Sequence, residues 1–240
     1  LISLSGDYKG MSMSAANITA IGSLDGAGQN GGDNNVVYQI VGQPLGVFYL
    51  PHCKGLVKNE NGSYFYDIED LDHNGNVDLS DGGDRYIAGQ ATPKVILGSN
   101  ISFRYKNYYI SIQMNGAFGH KIFNGTGLAY TSMACFPDYN VLKDAPKKNI
   151  IDQRVSDYWL EKGDYLNFEH LTIGYNVPLR SKLIRSLRVS CNISNIGTIT
   201  GYKGLTPMIN SYVVNSTMGI DDKRNYPLYR TYSLGLSVQF

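Results

Sequence analysis

The segment from Asp70 to Asp81 places acid and amide oxygens where a single cation could receive them. Asp70, Asp72, Asn74, Asn76, Asp78 and Asp81 take positions 1, 3, 5, 7, 9 and 12 of a loop with Gly75 at 6 and Val77 at 8. Hard oxygens at alternating positions converge on one ion, the glycine permits a sharp turn, the carbonyl at position 7 adds a ligand and the apolar residue at 8 anchors the loop. The expectation is a structural calcium ion (Ca2+) that offsets carboxylate repulsion and holds a long connection in shape. Asp81 stands where a helix-flanked calcium hand has a longer glutamate, and the flanks at Tyr64 to Tyr66 and Gly82 to Gly89 are not helical in pattern. The competing account is a glycine-rich surface turn with its ordinary share of Asp and Asn.

No other constellation with chemistry stands out. His52, His73, His120 and His170 are scattered, without the paired spacing of a zinc helix, and no nucleophile elbow, phosphate loop or dinucleotide fingerprint is present. Catalytic residues are therefore not expected, and the chain is not read as an enzyme. Cys53, Cys135 and Cys191 are odd in number and irregular in spacing, so they make neither a disulfide framework nor a metal knuckle. A net charge of +1 across 240 residues gives no polybasic surface for nucleic acid. Aromatics reach 12%, with 19 Tyr against 8 Phe, and Gly numbers 27, which favours β structure with wet aromatic edges.

The elements that must carry the loop are strands. From Tyr232 to Phe240, the residues Tyr232, Leu234, Leu236, Val238 and Phe240 share one face, opposite Ser233, Gly235, Ser237 and Gln239. The same split recurs from Leu187 to Asn195 and from His170 to Val177. Val95 to Tyr105 and Tyr108 to Phe118 are separated only by Lys106 and Asn107, which predicts a tight hairpin. A less regular extended segment runs from Val36 to Leu50.

Alternation suits a soluble sandwich, with the apolar face inward, and equally a membrane barrel, with the apolar face toward lipid. Connection lengths separate the two. Read back from Phe240, the connections alternate long and short: Gly197 to Leu228, Pro178 to Ser186, Gly119 to Asp164, Lys106 with Asn107, then Pro51 to Pro93. Outer-membrane barrels keep short turns on the periplasmic side and long loops outside, and a sandwich has no reason to hold that order. Ser233, Gly235, Val238 and Phe240 also resemble the terminal signal read by the outer-membrane barrel assembly machinery.

Longer stretches resemble one family. VGQPLGVFYL from Val41, the acidic loop leading to IAGQATPKVILG, YWLEKGDYLNFEHLTIGYNVP from Tyr158, and SLRVSCNISNIGTITGYKGLTP from Ser186 are similar to the C-terminal region of SusC/RagA-type TonB-dependent transporters. Asn167 departs from that pattern where the family has Arg, and Leu205, Thr206 and Pro207 where it has Asp-Pro-Glu. The resemblance implies an all-β fold, the C-terminal strands of a large antiparallel transmembrane barrel, about six of some 22. Residues 1–35 would be an irregular lead-in and residues 36–240 barrel strands and external loops. It also implies a location in a Gram-negative outer membrane, in contact with lipid. The expected partners are a SusD-like surface lipoprotein and TonB, the latter through a plug and TonB box expected upstream of Leu1. The expected cargo is a glycan or peptide nutrient, with Tyr130, Tyr139, Tyr202 and Tyr212 as candidate stacking residues in the loops.

Two other assignments fit the same residues. A secreted, calcium-stabilised β-sandwich that binds carbohydrate requires a chain that folds alone in water; a calcium-dependent hydrolase requires carboxylates that meet only in space.

Overall fold

The computed structural model describes residues 18–24, 34–80, 83–180, 183–209, 218–222 and 227–240. Its strands are β1 (Ile18–Ser23), β2 (Asn35–Ile40), β3 (Val47–Leu50), β4 (Cys53–Lys58), β5 (Tyr64–Ile68), β6 (Tyr86–Gln90), β7 (Val95–Tyr105), β8 (Tyr108–Phe118), β9 (Lys121–Asn124), β10 (Leu160–Lys162), β11 (Tyr165–Val177), β12 (Ser186–Thr200), β13 (Ile220–Asp221) and β14 (Thr231–Gln239). A short helix α1 (Gly125–Thr131) follows β9. Two compact units result, one taking Lys94–Gly119, Gly163–Gly201 and the last strand, the other taking the rest.

The first unit is one antiparallel sheet in the order β14-β12-β11-β8-β7. Its register turns the alternation of each strand into continuous rows. Phe103, Ile110, Ile173, Cys191 and Leu234 run across all five strands, and the next row is Ser102, Ser111, Thr172, Asn192 and Ser233. Apolar and polar rows thus lie on opposite faces. The apolar face is bare: Leu234 is 85% and Phe103 64% exposed. A sandwich would bury that face against a second sheet, so this exposure rejects the sandwich and fits a wall that meets lipid. The polar face binds itself together, with Ser102 to Ser111 at 2.9 Å, Thr172 to Asn192 at 2.9 Å and Asn115 to Glu169 at 2.9 Å. Asn167, where the family pattern has Arg, is buried and accepts from the Thr198 hydroxyl at 2.9 Å.

Two local devices keep the sheet in register. Glu169 is an extra residue on β11, between Phe168 paired with Met114 and His170 paired with Gln113. The bulge reverses the parity of the strand, so Leu166 and Phe168 share the apolar face with Leu171 and Ile173. At Gly174 a Cβ would come 2.0 Å from Cε1 of Tyr109. The Tyr109 ring therefore rests on bare backbone, with the Arg188 guanidinium 5.3 Å from its centroid.

The five described strands of this sheet exclude the segment Val36 to Leu50. That segment is two strands, β2 and β3, in a separate four-stranded sheet ordered β1-β2-β3-β6. Val36, Val37, Tyr38, Ile40 and all four residues of β3 are buried to 1% or less. Burial on both faces removes the selection for alternation, which is why the pattern there is irregular. The lead-in before residue 36 is not wholly irregular either, since it supplies β1.

The described parts of the long connections contribute to the second unit, with the hairpin β4-β5 and a sheet β10-β9-β13. Phe48, Leu50, Phe123, Leu128, Ile150, Trp159 and Ile220 share one core with Val36 and Val37. The indole of Trp159 donates to the Tyr66 hydroxyl at 2.7 Å, so the amphipathic side chains bury without an orphan donor.

Candidate functional site

The acidic loop runs between β5 and β6, so strands flank it, as the non-helical flanks in the sequence predict. Its backbone is wound on its own side chains. Asp72 Oδ1 accepts from the Asn74 amide at 3.0 Å, Asn74 Oδ1 from the Asn76 amide at 2.8 Å, and Asp70 Oδ2 from the Gly75 amide at 2.8 Å. These are side-chain turns that short polar residues make with backbone two or more residues on. Gly75 takes φ of 89°, a region that a residue with Cβ enters at a cost.

The carboxylates that meet are Asp70, Asp72 and Asp84, with one oxygen from each lying within 4.8 Å of the others. Asp81, the expected last ligand, lies outside the described residues. Asp78 is not in that cluster, and its oxygens take the amide and hydroxyl of Ser80, both at 2.9 Å. Asn76 is exposed and its amide serves the turn at Asn74. The expected apolar anchor is also corrected: Val77 is 44% exposed, and Leu79 packs against the core instead.

Asp84 is the residue that spacing missed. It is buried, and it accepts from the amides of Leu71 at 2.6 Å and Asp72 at 3.3 Å through Oδ1, and of Asp78 at 2.8 Å through Oδ2. One carboxylate thereby gathers the start and the middle of the loop. Arg85, next in sequence, is fully buried and grips the Leu79 carbonyl through Nε at 3.1 Å and Nη2 at 2.7 Å. Its Nη1 reaches the Tyr38 hydroxyl at 2.8 Å and the carbonyls of Asn35 and Tyr49, both at 3.2 Å, so the loop is tied to β2 and β3.

The stem of the loop is held by a further, partly buried acid. Asp157 accepts from His52 Nδ1 at 2.7 Å, the Tyr86 hydroxyl at 2.6 Å and the Cys53 amide at 2.7 Å. His52 precedes β4 and Tyr86 opens β6, so a single carboxylate joins the chain before and after the loop. The Glu69 amide closes the stem on the His52 carbonyl at 2.9 Å. Cys53 and Cys191 carry free thiols, and burial pushes the Cys53 thiol up.

The electrostatics suit a cation. Burial works against ionisation of Asp70, yet hydrogen bonds from the Gly75 amide and its neighbours hold the carboxyl below the ordinary range. The Ser80 amide and hydroxyl do the same for Asp78. Asp70 Oδ1 is buried and, among the described residues, has no hydrogen-bond partner. An ionised oxygen without a donor, beside two further carboxylates, matches what a hard divalent ion would complete.

Of the loop tyrosines, Tyr202 is not presented to a ligand: it is buried and its hydroxyl donates to Asp221 at 2.9 Å. Tyr139 is exposed, Tyr130 half-buried and Tyr212 outside the described residues. Ser233, Gly235 and Val238 pair with Asn192, Ser190 and Leu187 along β14, and Phe240 follows exposed.

No protein-family model matches the chain. It is similar to the TonB-dependent receptor P3 of Formosa agariphila, 27% identical over 231 residues that cover 83% of this chain and 22% of that protein. It is also 26% identical to the TonB-dependent receptor SusC of Bacteroides thetaiotaomicron, over 88% of this chain and 21% of that one. The chain thus spans about a fifth of the length of these relatives. Among solved structures, the RagAB peptide transporter superposes with a TM-score of 0.63 at 17% identity, covering 85% of this chain and 23% of that one. RagAB in its closed-closed state gives 0.62 at 16%.

Proposed function

We propose that this chain, similar over most of its length to TonB-dependent receptors of the SusC type, supplies part of the barrel wall of an importer for a glycan or peptide nutrient. The import runs across the outer membrane and draws its energy through TonB, which engages a part of the receptor other than these strands. A SusD-like lipoprotein is its partner at the cell surface. The observation that carries this reading is the sheet with a bare apolar face and a self-bonded polar face, a construction that serves a lipid-embedded wall. The residues Ser233, Gly235, Val238 and Phe240 act as the signal that delivers the barrel to its assembly machinery.

The test is a strain lacking the whole receptor gene, grown on single polysaccharides and on protein hydrolysates as sole nutrient. Loss of growth on one class, restored by the complete gene, is expected. Growth equal to the parent on every substrate would sink the importer reading.

The loop between β5 and β6 holds a calcium ion on Asp70, Asp72 and Asp84, with water completing the shell. The unpartnered Asp70 Oδ1 and the hard donor set support this reading. Bound ion stabilises the folded unit by about 2.7 kcal/mol at a hundredfold excess over Kd. Chelation of the purified receptor should therefore speed protease cleavage within residues 70–84 by about two orders of magnitude, and Asp70→Asn should abolish the calcium dependence. Cleavage that ignores both chelator and calcium would remove the metal from the account.

A further inference from the structure

The charges of the five-stranded sheet are segregated along its strands. Its register brings the turn at Lys106 and Asn107 beside the connection between Val177 and Ser186, since Tyr108 pairs with Tyr175 and Val177 with Leu187. The Asn176 amide donates to the Asn107 carbonyl at 2.8 Å and ties the two together. At this end lie Arg104, Lys106, Arg180, Arg185 and Arg188, all exposed. The acids of this unit, Asp164 and Glu169, lie toward the other end of β11. At strand rise they are roughly 40 Å and 26 Å from Val177, well beyond a Debye length of about 8 Å in physiological salt. Among the described residues no carboxylate pairs with any of these five cations.

Apolar groups flank the same charges. Leu183 is 81% exposed, and Leu179, Tyr105 and Tyr108 are exposed beside the turns. Tyr108 and Tyr175 stack with centroids 4.6 Å apart on the apolar face. Exposed cations above a row of tyrosines and leucines match the depth profile of a bilayer edge, with charge at headgroup level and rings just below. The short-turn end of an outer-membrane barrel faces the periplasm.

We propose that this rim, with Lys106, Arg180 and Arg185 as its outermost charges, binds the anionic phospholipid headgroups of the periplasmic leaflet. A free phosphate would satisfy the cations alone; the leucine and tyrosine neighbours require a ligand with hydrocarbon attached. The proposal rests on the barrel reading of the sheet and is independent of the cargo and of the calcium loop. Its consequence is an annulus of anionic lipid that fixes the depth of the wall at the inner mouth, where Arg104 and Arg188 continue the positive charge onto the polar face.

The test uses the complete receptor in mixed micelles of phosphatidylethanolamine and phosphatidylglycerol, with retained lipids counted by native mass spectrometry. Each surface cation favours anionic lipid by roughly fivefold, so the triple variant K106Q/R180Q/R185Q should lose at least tenfold of the phosphatidylglycerol preference. About 0.5 M salt should erase the wild-type preference as well. K94Q/R230Q, at the opposite end, should leave it intact. Unchanged preference in the triple variant, equal loss in the opposite-end variant, or displacement of the lipid by millimolar inorganic phosphate overturns the proposal. Heat-shifted gel mobility reports folding separately; if the triple variant fails to assemble, each single substitution should still cost several-fold. Nutrient uptake is read apart from lipid retention, so failure of the importer reading and of this one are distinguishable.

Discussion

Arg85→Met should open the loop between β5 and β6 more than any other single change in that unit. The guanidinium is fully buried and holds carbonyls of Leu79, Asn35 and Tyr49 together with the Tyr38 hydroxyl. Methionine fills much of the volume but offers no donor, so those carbonyls lose their partners where water does not reach. Breaking a buried charged cluster on one side costs about 3–5 kcal/mol. Local opening of that size raises protease cleavage of residues 70–84 by roughly two to four orders of magnitude when opening is fast relative to cleavage. Arg85→Lys keeps the charge but not the fork that reaches β2, β3 and Leu79 at once, so it should fall between the two. A receptor carrying Arg85→Met whose cleavage matches wild type would show that the ties to β2 and β3 do not hold the loop. The Asp157 node predicts that the stem at His52 and Tyr86 stays protected while the loop opens, because its bonds are independent of Arg85.

Ile101→Arg should block accumulation of folded barrel, whereas Ser102→Arg, one residue along, should be tolerated. Ile101 lies mid-strand on the bare apolar face and pairs with Ile112. Ser102 lies on the polar face, where its hydroxyl donates to Ser111 at 2.9 Å. An arginine at the lipid midplane costs about 2–4 kcal/mol, while the loss of one exposed hydroxyl bond costs on the order of 1 kcal/mol. Heat-shifted mobility of the receptor from outer membranes measures both variants. Equal folding of the two would contradict the assignment of the faces, and greater damage from Ser102→Arg would invert it.

These outcomes test different layers of the molecule. The neighbouring pair in β7 tests a property written in local alternation. Arg85 tests one that exists only when β2, β3 and the loop come together.

The sequence by itself determined the faces of the long strands, the hairpin at Lys106 and Asn107, and the presence of an acidic, turn-rich loop. Period-two alternation and side-chain turns are local, so neighbours in sequence carry them. The resemblance to TonB-dependent receptors was legible for the same reason, in short stretches of strand and turn. Local pattern failed where parity broke: β11 reads cleanly only from His170, because the bulge at Glu169 reverses the faces before it. It failed again at Val36 to Leu50, where burial on both sides leaves nothing to alternate. Only the tertiary structure decided that Asp84 gathers the loop, that Leu79 rather than Val77 anchors it, and that Tyr202 turns inward to Asp221. Asp157 meets His52, Cys53 and Tyr86 across separations of 105, 104 and 71 residues. No spacing rule reaches that far; such contacts arise when a shared core packs the segments together and a partly buried carboxylate finds its donors there.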